Sequence, residues 1–282
     1  TIEEIKERIN EMYELLEKEA IAKNYLEAKI PSYQIALDQL GATFDVTKSE
    51  VDLLRKTYYF EDSDMEKYIS LDKSITKLRN QLDEISSEME DEGIAHTEIR
   101  LKLENGFKQL EGIEERHEEF KNQIYNLRKD ELKAREELNE VKKQINEIKR
   151  KLKKSNIPGV PNFIWIHLEK VTEKNNQVIK ALENQPLDMA EVQHALKEAK
   201  SAVDTTMEQT DMVLEQAYLT EQVIQYANRY RSTNPLLAAK LIEAERLFRS
   251  YEYELSLEHA AKAIEEIEPG ALKRIEAHQE AL

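Results

Sequence analysis

The run 99–154, "IRLKLENGFKQLEGIEERHEEFKNQIYNLRKDELKAREELNEVKKQINEIKRKLKK", decides how the chain is built. Its apolar residues include Ile99, Leu103, Leu110, Ile113, Phe120, Ile124, Leu127, Leu138, Val141, Ile145, Ile148 and Leu152. They recur at helical spacing with charges between them, the mark of an amphipathic helix that packs along one stripe. Read as one helix, the run is about 85 Å long at 1.5 Å per residue. One globular core does not require that length, so the helix is expected to link two bundles.

Working outward, the same spacing returns in Ile2, Ile5, Ile9, Met12 and Leu16, and in Leu71, Ile75, Leu78, Leu82 and Ile85. No alternation of the strand type appears; "TYYF" (57–60) comes nearest and is too isolated to seed a sheet. With six Gly and six Pro in 282 residues, tight turns are few and long helices are expected. Gly41 with "ATFDVT" is read as separating a first helix (2–40, bent at Pro31) from a second, which Thr47 and Glu50 open at capping-box spacing. Another break falls near Gly93. After "KKSNIPGVPN" come a helix near 162–184, a turn at "NQPLD", and a helix near 188–231 with Asp188 as N-cap. Asn234-Pro235 opens a helical hairpin, 235–249 and 252–267, closed by Pro269-Gly270; "AERLFRSYEYELSLEHAAKAIE" (244–265) has the small and aromatic spacing of a tetratricopeptide-like pair. Gly93, Gly106 and Gly112, each costing about 1 kcal/mol inside a helix, are candidate bends.

The expected fold is all-α: an elongated rod of spectrin-like antiparallel triple-helical bundles joined by a long shared helix and ending in a short hairpin. Residues 1–130 form the first bundle, 131–232 the second, and 233–282 a hairpin packed on the second. A plain coiled coil is the competing architecture.

Composition narrows the chemistry. A formal charge of −16 repels a phosphate backbone, so nucleic acid is not an expected partner. The lack of cysteine removes thiolate nucleophiles and Cys-ligated zinc, and fits a reducing compartment. No apolar run reaches the length of a membrane span, and the charged start "TIEEIKERIN" is no signal peptide. Glycine-rich phosphate loops are missing, and no strand–turn–helix element presents a nucleophile, so neither an enzyme nor a cofactor is expected. Two Glu-x-x-His pairs, Glu114/His117 and Glu191/His194, match the spacing of di-iron bundles, but they fall in different bundles; solvated histidines are the simpler reading, and no metal is expected. Trp165, the single tryptophan, is expected in the core at a helix start. In "KKQINEIKRKLKK" (142–154), seven Lys or Arg stand against one Glu. Cations there oppose the partial negative charge of a helix C-terminus; contact with an anionic membrane surface or an acidic partner is the alternative.

One face does not look like ordinary solvation. In "QVIQYANRYRSTNP" (222–235), Leu219, Val223, Ile224, Tyr226, Ala227 and Tyr230 share a wide apolar arc on the wheel, with Tyr218, Glu221, Gln222, Gln225, Asn228 and Arg229 opposite. Amides and a guanidinium at i, i+3 and i+4 suit recognition of a peptide backbone or chain terminus. Capping the helix end, or tying it to the hairpin, explains them equally well.

"QYANRYR" (225–231), followed by "EAERLFRSYEYELSLEHAAKAIEEIEPGALKRIE" (243–276), resembles the C-terminal end of the EzrA family, septation ring formation regulators of Gram-positive bacteria. The likeness is strongest over 203–276; elsewhere it lies in helical pattern, acidity and layout. It implies a non-enzymatic cell-division scaffold on the cytoplasmic side of the membrane at the division septum. Such a scaffold binds the tubulin-like protein FtsZ and other division proteins and restrains Z-ring assembly. The family's polar patch for septal localisation maps onto Gln225, Asn228 and Arg229, with Tyr226, Ala227, Tyr230 and Arg231 completing the stretch. Family members carry an N-terminal transmembrane anchor, absent here, so a truncated C-terminal part is expected, attached to membrane only through that missing anchor. A self-associating coiled-coil structural protein, with the polar face as a homodimer contact, is the rival.

Overall fold

The computed structural model describes residues 1–281. Eight α-helices follow in chain order: α1 (Ile2–Leu54), α2 (Asp62–Met89), α3 (His96–Lys154), α4 (Asn162–Glu183), α5 (Met189–Ala227), α6 (Pro235–Arg249), α7 (Tyr253–Glu265) and α8 (Ala271–Glu280). A 3-10 turn, Asn228–Tyr230, follows α5. The all-helical class holds: among the described residues the nearest approach to a sheet is an isolated parallel pairing of Tyr58 with Leu187. The chain divides into two compact units, one of 1–130 with 185–189 and one of 131–184 with 190–282. The long run is one helix, α3, and it contributes to both.

In the first unit α1 and α2 are antiparallel: Lys48 pairs with Asp72 at 2.9 Å, and Gly41, two turns earlier on α1, lies against Arg79, two turns later on α2. α3 runs back along α2, Lys102 meeting Glu88 and Tyr68 stacking near Phe120. The core holds the expected stripe: Leu71, Ile75, Leu78, Leu82 and Ile85 of α2 are all buried, as are Leu26, Leu37 and Val51 of α1 and Ile99, Leu103 and Ile113 of α3.

Three expectations fail here, each for a physical reason. No break occurs at Gly41, since α1 runs unbroken through both Pro31 and Gly41. Leu37, Leu40, Phe44, Thr47 and Val51 continue one buried face across the glycine, and packing outweighs its ~1 kcal/mol propensity deficit. The glycine gives passage to α2: a Cβ at Gly41 would collide with the Arg79 guanidinium. Thr47 therefore caps nothing; its hydroxyl lies within the helix, buried, in a 2.7 Å hydrogen bond with His117 Nε2. His117 is not solvated either, but sits in the core with its ring edge-on to Phe44.

The second unit repeats the up-down-up arrangement. Lys200 reaches Glu137 and Lys151 reaches Asp211, so α5 runs parallel to α3; Lys174 meets Glu198 while Phe163 shares a hollow with Gln209 and Met212, so α4 runs antiparallel to α5. Val141, Ile145, Ile148 and Leu152 pack with Ile164, Leu168, Val171, Val203, Val213 and Ala217. Trp165 departs from expectation: it is 50% exposed, and its neighbour Ile164 fills the core position instead. Past α5 the expected hairpin forms as α6 and α7, with Ser256 Oγ donating to the buried Ala244 carbonyl at 2.6 Å. The chain is not closed at Pro269-Gly270. Gly270, in the left-handed region at φ 87°, turns it into α8, and Glu265 accepts from the Gly270 and Leu272 amides at 2.8 and 2.9 Å.

Candidate functional site

The C-terminal end of α5 is fixed from both sides of its wheel. Leu219, Val223 and Ala227 are buried against Leu237, Leu241 and Ala244 of α6, Ala260, Ala263 and Ile264 of α7, and Ala271 of α8. The α-helix stops four residues earlier than periodicity suggests, at Ala227, and tightens into the 3-10 turn. Asn234 then starts α6, its side-chain oxygen accepting from the Leu237 amide at 3.0 Å, with Pro235 at the first helical position, where no amide donor is needed.

The six residues of the polar stretch separate into two groups. Tyr226, Tyr230 and Arg231 are half-buried. Both phenols donate to the Glu268 carboxylate, Tyr226 at 2.7 and 2.8 Å and Tyr230 at 3.0 Å, and Arg274 adds a charged contact at 2.6 Å. One carboxylate thus gathers two hydroxyls and a guanidinium. The Tyr226 hydrogen bond is the main cause that holds the Glu268 carboxyl below its ordinary range, and the same bonds push both phenols above theirs. Arg231 forks between Asn228 Oδ1 at 3.1 Å and Glu245 at 2.7 Å, tying the turn to α6.

Gln225, Asn228 and Arg229 are exposed. The amide of Gln225 has no partner among the described residues. Arg229 lays its guanidinium over the Tyr226 ring at 3.8 Å, with Nε donating to the Tyr226 carbonyl at 3.2 Å. The surface accordingly presents a free amide, an amide whose oxygen is shared with Arg231, and a flat stacked cation on a rigid base. Peptide carbonyls, amides and carboxylates are the groups such a set can meet.

Glu268, Glu245 and Arg274 complete the arrangement, and sequence reasoning missed all three as site residues. Glu268 lies just before the Pro269-Gly270 punctuation, which marked it as a turn residue; only the unforeseen α8 brings Arg274 back onto it. The two Glu-x-x-His pairs do not converge: His117 is a core residue, and no group of three or more potential ligands occurs among the described residues. His117 is held below the ordinary histidine range, chiefly by burial, which favours the neutral ring. No helix of the described residues is long and apolar enough to cross a membrane.

Comparison with known proteins supplies a family. The model of "Septation ring formation regulator, EzrA" matches residues 1–279. The chain is 60% identical over 278 residues to the septation ring formation regulator EzrA of Oceanobacillus iheyensis, covering 99% of this chain and 49% of that protein. It is 34% identical over 273 residues to the corresponding protein of Bacillus subtilis, covering 97% and 49%. Among solved structures it superposes on the cytoplasmic domain of the bacterial cell division protein EzrA with a TM-score of 0.76 at 34% identity, covering 98% of this chain and 53% of that one. The chain spans about half the length of the curated relatives it matches.

Proposed function

This chain belongs to the EzrA family of septation ring formation regulators, and from that premise we propose that it is a non-enzymatic division scaffold that binds FtsZ and restrains Z-ring assembly. The exposed Gln225–Asn228–Arg229 surface carries the reading. It is poor in net charge within a chain of −16, and it is held rigid from beneath by Tyr226, Tyr230 and Arg231. A rigid donor and acceptor set loses little conformational freedom on binding a peptide segment. The acidic remainder of the surface then opposes lateral association of the filaments to which the patch attaches. In this reading the chain works on the cytoplasmic side of the membrane, at the septum, among other division proteins, without cofactor, metal or nucleic acid.

The test is co-sedimentation and light scattering with FtsZ, together with septal recruitment in cells, for the triple variant Gln225→Ala, Asn228→Ala, Arg229→Ala. We expect about tenfold weaker binding and loss of recruitment with an unchanged helical circular dichroism spectrum. Unchanged binding and recruitment would make the patch structural, and a fallen helical signal would assign it to capping. A dimer in sedimentation equilibrium that the same variant abolishes would assign it to self-association.

A further inference from the structure

Two adjoining hollows open along α5 and share Tyr218, which is 45% exposed. The first, about 400 Å³, has a floor of Ile157, Leu214 and Ala217 beneath a rim of Arg150, Lys151 and Lys154 from the end of α3. The second, about 410 Å³, lies between α5 and α8 and is bordered by Gln222, Gln225, Arg274 and His278. Four Lys or Arg side chains and one acid, Glu221, line the pair, a concentration of cations in a chain whose formal charge is −16.

The acids that face these cations are Glu147 on Arg150, Asp211 on Lys151 and Glu268 on Arg274. Lys154 makes no close ion pair among the described residues and meets a carboxylate only through the field it adds at Glu147. The Arg150 and Lys151 pairs are solvent-exposed, and exposed ion pairs exchange readily for an incoming carboxylate. The basic run 142–154 is therefore more than a response to the partial charge at its helix end: its last two turns wall an apolar cavity.

We propose that the two hollows form one docking groove for an acidic peptide segment of a partner protein. An apolar side chain of the segment seats on Leu214 beside Tyr218, and its carboxylates meet Arg150, Lys151 and Lys154 at one end and Arg274 at the other. The groove borders the Gln225 patch and rests on the reading above only in that this end of α5 faces a protein partner. A peptide fits better than a bilayer, because the apolar floor lies recessed below the cations, whereas an anionic membrane surface is met by cations that stand proud.

Fluorescence anisotropy with a labelled dodecapeptide of Asp and Glu around one Phe, against the same peptide with Lys for each acid, tests the groove. The acidic peptide binds, its affinity falls with added salt, and the Lys peptide does not bind. The pair Arg150→Glu/Lys154→Glu and the single change Tyr218→Ala each weaken it about tenfold. Lys170→Glu/Lys197→Glu, the same charge change on the α4–α5 face, leaves it nearly unaltered. Equal binding of both peptides, equal loss in the control pair, or capture by phosphatidylserine vesicles that the acidic peptide fails to displace would each overturn the groove, the last in favour of a membrane. A dimer broken by Arg150→Glu/Lys154→Glu would overturn it in favour of a second copy. Asn228 and Arg229 line neither hollow, so Asn228→Ala/Arg229→Ala with FtsZ tests the patch alone, and each reading can fail without the other. Thermal melting of every variant confirms that the fold is intact.

Discussion

Glu19 shows how much one surface residue can set. Its carboxylate leaves α1 to cap the start of α3, accepting from the His96 amide at 2.7 Å, the Thr97 amide at 3.2 Å and the Thr97 hydroxyl at 2.7 Å. The Thr97 hydroxyl bond, ahead of the backbone amides, pulls its pKa from 4.5 down to about 2. A carboxyl depressed in the folded state stabilises the fold above its unfolded value, and that contribution is lost as pH falls from about 4.5 towards 2. Glu19→Gln is therefore expected to flatten the acid limb of the first unit's stability between those values, read as the thermal midpoint against pH; a limb of unchanged slope would refute the cap. Tyr33 carries the opposite kind of information. Its hydroxyl is buried without a partner, burial raises its pKa to about 12, and it lies where a Cβ on Gly106 would approach it at 3.0 Å. Removing an unsatisfied hydroxyl should stabilise the protein, so Tyr33→Phe is expected to gain about 1 kcal/mol in urea unfolding. Thr47→Val should do the reverse, since it leaves His117 without its 2.7 Å partner in the core, and a loss of about 1–3 kcal/mol is expected. None of these roles was legible in the sequence. Spacing marks which residues face inward, and it is silent on which polar atoms meet there.

At the scale of elements, the apolar stripes told most of the story, because a helix that must bury one face writes it at 3.6-residue spacing. The stripe of α2 is buried at all five positions and that of α3 at every one but Leu127, which is half-buried, whereas Ile2, Ile5, Ile9, Met12 and Leu16 at the start of α1 are exposed. What misled was punctuation. Gly41 and Thr47 carry the chemistry of a helix end, yet the buried face of α1 continues through both, and tertiary packing overrides local preference. That makes Gly41 an adaptation to the neighbouring helix and not a terminator. Only the flexible tip of Arg79, an exposed side chain, occupies the space of a Cβ, so Gly41→Ala should displace it and stabilise α1 by up to about 1 kcal/mol; a lowered melting midpoint would show that the Arg79 position matters more than the helix. Tyr251 is the counter-case. Behind α6 it takes the left-handed position, φ 66°, that glycine usually fills, with the Glu252 amide bonded to the Leu247 carbonyl and the Tyr251 amide to that of Phe248. Its ring covers Gly159, and Tyr253 donates to the Gly159 carbonyl at 2.5 Å, so the loop before α4 is clamped to the α6–α7 turn. The turn itself was expected between 249 and 252; what no glycine or spacing announced was its contact with Gly159. The same limit applies to the site: helical periodicity found the polar face of α5, but the Glu268 tether depends on α8, a helix of ten residues behind a Pro-Gly pair that reads as an end.

At the scale of the whole molecule, the decisive feature is that one helix serves two cores. Residues of α3 up to Asp130 belong to the first unit and those from Glu131 to the second, with no loop at the seam. A helix propagates cooperatively, because each added residue closes a hydrogen bond on a turn already formed, so fraying on one side of the seam is opposed by packing on the other. This was legible from the sequence, as no Gly or Pro interrupts 113–154, and it has a thermal consequence. Lys129 is exposed and one residue from the boundary, so replacing it perturbs backbone and not core. Lys129→Pro removes the amide that bonds back one turn and clashes with the preceding carbonyl, at about 3 kcal/mol or more. For units of this size that corresponds to a downshift of roughly 10 °C in the more affected unit. Calorimetry is expected to show one transition for the natural chain and two for the Lys129→Pro variant, with Lys129→Ala behaving like the natural chain. If the proline merely lowered a single transition, the two units would be coupled by something other than the continuity of α3, and if the natural chain already melted in two steps, the shared helix would join the units without coupling them.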